Sequence, residues 1–71
     1  MVKYISTNRP QSIAEGGRID KVHILVEKFG GEAKNWKKMK GWDNNGREYH
    51  WYQLKNAPSV GWKRAGEHDP F

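Results

Sequence analysis

Asp43-Asn44-Asn45-Gly46-Arg47-Glu48-Tyr49-His50-Trp51-Tyr52-Gln53-Leu54 decides the architecture of this chain, because a turn signal leads straight into an alternating run. Asn45-Gly46 tolerates the positive φ that tight hairpins require, so Asp43 to Gly46 predicts a reversal between two antiparallel strands. After it, strand alternation puts Arg47, Tyr49, Trp51 and Gln53 on one face and Glu48, His50, Tyr52 and Leu54 on the other. Before it, Trp36, Met39 and Trp42 interleave with Lys37, Lys38 and Lys40 to supply the first strand. One face of such a sheet must pack on a helix. Tyr49 and Trp51 are expected to take that side, which leaves His50 and Tyr52 on the far face or at its margin.

Outward from the hairpin, Asn56-Ala57-Pro58-Ser59 marks a second turn, and Val60 to Ala65 returns as a third strand. Upstream, Ile19, Val22, Leu25, Val26 and Phe29 fall at helical spacing and Gly30-Gly31 supplies a stop, so a helix is favoured over 19–29. A strand is the competing reading, since Val22, Ile24 and Val26 also alternate and such β-branched residues are common in strands. Ser12 with Glu15 has the spacing of a capping box, but Gly16-Gly17 limits it to one helical turn. The first eleven residues, among them Tyr4, Ile5 and Pro10, read as an arm or short strand. The expected domain is therefore α+β: an N-terminal helix packed on a small antiparallel β-sheet, a meander of three to four strands. Its parts are an arm or short elements over 1–18, the helix over 19–29, the sheet over 36–65 and a tail over 66–71.

With 71 residues there is room for one domain, and a chain of that size buries only about 60% of its unfolded surface. No cysteine is present, so disulfides, thiolate zinc sites and a cysteine nucleophile are excluded. Trp36, Trp42, Trp51 and Trp62 carry much of the apolar content, and at least half of them are needed for the core. A net charge of +5 favours polyanionic partners, nucleic acid first and an acidic protein next. No stretch approaches the ~20 apolar residues of a membrane span.

The histidines at 23, 50 and 68 lack metal-knuckle spacing, and the glycine pairs lack phosphate-loop and dinucleotide frames, so neither a metal nor a nucleotide cofactor is implied. RNA cleavage by internal transphosphorylation needs only a base for the ribose 2′-hydroxyl, an acid for the departing 5′-oxygen, and a cation for the phosphorane. Histidine suits the proton steps because both of its forms are accessible near neutral pH. His50, held on a strand, is the leading candidate; His23 and Lys21 on the helix, and Arg64, are the candidates for the second group. Arg47, Lys55, Lys63 and Lys38 are candidate phosphate contacts, with Tyr52 as a ring on which a base can stack. The same basic sheet also fits a non-catalytic nucleic-acid-binding module, and the aromatics fit a small protein-binding inhibitor.

The helix, the Lys-rich strand, the run Gly41 to Tyr52 and the Gly61-containing strand together resemble the C-terminal toxin domains of bacterial polymorphic and contact-dependent growth inhibition systems. Among these the likeness is to the barnase–colicin–RelE-like ribonuclease group, over about Ile19 to Lys63. The resemblance implies a metal-independent ribonuclease, often acting on transfer RNA, that needs no cofactor. It further implies delivery from the cell surface or by secretion as part of a larger protein, action in the target-cell cytoplasm, and neutralisation by an immunity protein. His50 matches the histidine often found in the sheet of such domains. A basic active surface is best covered by an acidic partner, so the immunity protein is expected to be acidic.

Overall fold

The computed structural model describes residues 7–68. The elements are strand β1 (Asn8–Glu15), a 3₁₀ turn (Gly16–Arg18), helix α1 (Val22–Phe29), a second 3₁₀ turn (Ala33–Asn35), and strands β2 (Trp36–Trp42), β3 (Glu48–Leu54) and β4 (Val60–Arg64). The four strands form one antiparallel sheet in the order β1-β2-β3-β4, an α+β meander with one helix. Tyr4, Ile5 and the tail residues Asp69 to Phe71 lie outside the described residues.

The first element is a strand, so the helix is not N-terminal as expected. Ser12 and Glu15 lie in β1, opposite Met39 and Lys37, rather than in a helical turn. The glycines at 16 and 17 deny the capping-box pattern a helix to cap, and the open edge of β2 offers β1 a ladder instead. Two register shifts interrupt this pairing, one between Asn8 and Gln11 and one between Ser12 and Ala14. The first spans Arg9, at φ 49, and Pro10, which cannot donate to a ladder and is tolerated at an edge strand. Helix α1 begins at Val22 because Ile19 stays extended, at φ −78 and ψ 117, while its carbonyl accepts the Val22 amide at 3.1 Å.

In the hairpin between β2 and β3 the Asp43 amide donates to the Arg47 carbonyl at 3.0 Å, and the Gly46 amide to the Asp43 carbonyl at 3.1 Å. Gly46 has φ 79 whereas Asn45 is not left-handed, so the loop is a type I turn closed by a glycine bulge rather than a two-residue loop. The Asp43 carboxylate accepts the Asn45 and Arg47 amides, both at 2.9 Å.

Both faces of the sheet carry aromatic cores, and they differ. On one, Ile19, Leu25, Trp36 and Tyr52 form a buried cluster, with Ala14, Val22, Val26, Leu54 and Val60 packed around it. Full burial of each such side chain stabilises the fold by roughly 1.5–3 kcal/mol. The Trp36 indole donates to the Gly30 carbonyl at 3.1 Å, which ties the end of α1 to β2. On the other face Trp51 is buried and stacks on Trp62, with ring centroids 4.4 Å apart and planes 15° from parallel. The face of β3 that meets the helix is thus the Tyr52 and Leu54 face. The expectation that Tyr49 and Trp51 would point there, and Tyr52 away, is overturned: Trp51 has a core of its own in Trp62 and the strand is apolar on both sides at that end.

Candidate functional site

Alternation along β3 carries Glu48, His50, Tyr52 and Leu54 onto the helix side of the sheet. The buried cluster ends at Tyr52. One and two steps further along, His50 and Glu48 keep 19% and 35% of their side-chain surface accessible. His50 Nε2 and Glu48 Oε2 are 2.7 Å apart, within the range of a charge-assisted hydrogen bond. With Nε2 engaged by the carboxylate, Nδ1 is the ring nitrogen left for a substrate.

Pairing then places cations around this couple. Lys40 on β2 and Lys63 on β4 lie directly opposite His50, and Trp42 lies opposite Glu48. Directly paired residues of an antiparallel sheet point to the same face with Cβ atoms about 4.5–5.5 Å apart. Lys40 Nζ and the Arg9 guanidinium each sit 5.6 Å from the centre of a Trp42 ring, and Lys38 Nζ sits 5.9 Å from that of Tyr52. The Lys63 ammonium also donates to the Glu67 carbonyl at 3.0 Å. The half of this face beyond the helix cluster thus presents Arg9, Lys40 and Lys63 around one carboxylate–imidazole pair, with Lys38 one row back, opposite the buried Tyr52.

The sequence candidates separate sharply. His50, Lys38 and Lys63 belong to this face. His23 is exposed on α1, two residues and hence about 200° from the buried Leu25, so it points away from the sheet. Lys21 precedes the first turn of α1 and lines a cavity of about 270 Å³ that Lys38 and Tyr52 also line, one row away from His50. Arg64 pairs with Tyr49 and therefore lies on the opposite face from His50, with its amide donating to Glu67 Oε1 at 2.8 Å. Arg47 is exposed in the hairpin loop. Lys55 is exposed beyond the far end of β3, five residues and roughly 17 Å from His50. Tyr52 is only 2% accessible, so its ring has no free surface on which a base can stack.

Glu48, Lys40, Arg9 and Trp42 were not singled out from the sequence. For Glu48 the signal was present, because Glu-x-His on a strand puts both side chains on one face. Arg9 reaches the face only through the irregular pairing of β1.

Among the described residues no three His, Asp or Glu side chains gather into a metal-holding cluster, and no helix is long and apolar enough to cross a membrane. The Asp43 carboxyl is held below the ordinary carboxylate value chiefly by the hydrogen bond from the Arg47 amide. No family model, no curated protein and no solved structure matches this chain, so any functional reading rests on its own residues and geometry.

Proposed function

We propose that the Glu48–His50 face is the active site of a metal-independent endoribonuclease, a toxin domain acting on RNA of the transfer-RNA class. The observation that carries this reading is the 2.7 Å carboxylate–imidazole pair, with its imidazole in one row with Lys40 and Lys63. The ionised Glu48 carboxylate takes the proton of the ribose 2′-hydroxyl, and the 2′-oxygen attacks phosphorus. As that bond forms, the bond from phosphorus to the 5′-oxygen breaks, and the protonated His50 ring gives its Nδ1 proton to the leaving oxygen. Products are a 2′,3′-cyclic phosphate and a 5′-hydroxyl. Glu48 has then gained one proton and His50 has lost the one on Nδ1, and exchange with water returns the carboxylate and the imidazolium to their starting forms. Lys40 and Lys63 flank the phosphate and stabilise the charge that builds on the phosphorane.

The same basic surface supports the partner expectation. A domain delivered into another cell within a larger protein must be silenced in its producer, and an acidic immunity protein complements this face in charge.

Cleavage of total RNA in EDTA is the test. Substituting His50→Ala or Glu48→Gln lowers the cleavage rate about 10²–10⁴-fold, the usual contribution of a positioned acid or base, with a much smaller loss of RNA affinity. Affinity itself falls with salt, with a log–log slope of about −0.7 for each phosphate neutralised on a single strand. Intact RNA at high protein excess, with steep salt dependence retained, would leave a nucleic-acid-binding module and remove the enzyme. Unchanged cleavage in both variants would sink the assignment of the pair.

A further inference from the structure

Lys55, displaced from the His50 face, belongs to a second basic site. A cavity of about 460 Å³ at the opposite end of the sheet is lined by Lys34, Asn35, Lys37, Gln53, Lys55 and Asn56. Three of the six are ammonium groups, the other three are amides, and none is a carboxylate. We propose that this cavity binds a phosphate group, independently of the Glu48–His50 pair.

Its walls are held in place by backbone. Lys37 and Gln53 are direct cross-strand partners of β2 and β3, so their side chains leave the sheet side by side on the face that also carries Trp51. The Lys55 amide donates to the Asn35 carbonyl at 3.3 Å, which fastens the second 3₁₀ turn against the end of β3. Asn56 follows at φ 61, and the Ala57 amide closes that turn on the Leu54 carbonyl at 3.2 Å. Two stretches of chain, 34–37 and 53–56, thus converge on one opening.

The donor set selects the charge of the occupant. The Trp51 indole donates to Gln53 Oε1 at 3.4 Å, which occupies the amide oxygen and leaves the Gln53 NH₂ as the group to offer. Lysine ammoniums are donors only. Lys34 and Lys37 have acidic neighbours outside the lining, Glu32 at 3.3 Å and Glu15 at 3.7 Å, and both pairs are solvent-exposed. Such pairs are weak and yield readily to a doubly charged anion. Phosphate supplies what three ammoniums and an amide NH₂ lack, namely several strong acceptor oxygens on one compact dianion.

Two sources carry that chemistry, a nucleic-acid backbone and a small phosphate ester, and titration followed through backbone amide resonances separates them. The probes are pyrophosphate and an all-2′-deoxy oligonucleotide, which the proposed RNase chemistry cannot cleave. Pyrophosphate is expected to shift resonances of residues 34–37 and 53–56. The combined variant Lys34→Gln, Lys37→Gln, Lys55→Gln is expected to weaken its binding about tenfold, in line with the loss of three modest charge contacts. If the oligonucleotide shifts the same resonances and competes with pyrophosphate, the backbone is the source; if pyrophosphate alone does so, the source is a small ester. His50→Ala retains this binding, so the site stands or falls separately from RNA cleavage. Absence of shifts there with both probes, or equal affinity in the triple variant with its melting transition intact, would overturn the proposal.

Discussion

A methyl group added at Gly41 tests whether the second aromatic core, on the face away from the helix, has the packing described above. Gly41 is buried in β2 and its φ lies outside the left-handed region, so backbone strain does not enter. An alanine Cβ there would lie 2.9 Å from Thr7 Cβ, 2.9 Å from Trp51 Cη2 and 3.2 Å from Thr7 Oγ1. Ordinary carbon contacts begin near 3.4 Å, so the neighbours must recede by roughly 0.5 Å. Trp51 already stacks on Trp62, and its displacement moves two rings rather than one. Overpacking of this kind costs about 1–3 kcal/mol, and the smaller entropy of the unfolded alanine chain returns ~0.4–1 kcal/mol. With overpacking at the middle of its range, about 2 kcal/mol, the net loss is roughly 1–1.6 kcal/mol, which lowers the melting temperature of a domain this size by roughly 4–13 °C. Gly17→Ala is the control, because nothing lies within 4 Å of the added atom and its φ is unstrained. Thermal unfolding followed by tryptophan fluorescence checks both. A Gly41→Ala transition within about 2 °C of the parent, the noise expected for a neutral surface change, would refute the packing of Trp51 across this glycine.

Two further outcomes follow from the core and the hairpin. Tyr52→Ala empties part of the helix-side cluster and costs about 3–5 kcal/mol by analogy with other large-to-alanine changes, so any loss of RNA binding should coincide with loss of a cooperative melt; a well-folded variant with weakened binding would restore Tyr52 as a contact residue. Because the Asp43 carboxyl is held below its ordinary value of 3.8 in the folded chain, its contribution is fully present above about pH 4 and is lost as pH falls through the lower, folded value. Asp43→Asn should therefore melt earlier than the parent at pH 7 and show a smaller decline between pH 4 and pH 2, measured by circular dichroism; parallel declines would show that this carboxylate is not what the hairpin loses in acid.

What was legible in the sequence divides along physical lines. The hairpin at Asp43 to Gly46 and the alternation of β3 depend on local φ preferences and on a period of two, and both read directly. Which face of β3 meets the helix does not follow from the period, because Trp51 on one side and Tyr52 on the other are equally able to seed a core. Strand β1 was legible only in part, as an arm or short strand over the first eleven residues, because the Ser-x-x-Glu pattern at its end has a local helical meaning that pairing with β2 overrides. The site inherits both effects. Glu48 beside His50 was readable from spacing alone, whereas Lys63 opposite His50 depends on the register of β4, and the removal of Arg64 to the other face depends on it too. Between His50 and Tyr52 that register shifts, with Gly61, at φ 69, and Trp62 set against Trp51; a glycine inside a strand is the sequence signal for such a bulge, but it does not say how far the pairing shifts.

The pairing of β1 with β2 also orders the assembly of the molecule in time. Strands β2, β3 and β4 follow one another through short turns, so their contacts are local and form early in a folding chain. The ladder of β1 closes a loop that contains the whole 16–35 segment, helix included. Closing a longer loop costs more chain entropy before any contact returns it, and non-local pairing is correspondingly slow. Arg9 reaches the Trp42 ring only once that last ladder is in place. Arg9 is thus the cation of the Glu48–His50 face whose placement depends on the non-local ladder, whereas Lys40 and Lys63 are carried by strands joined to β3 through short turns.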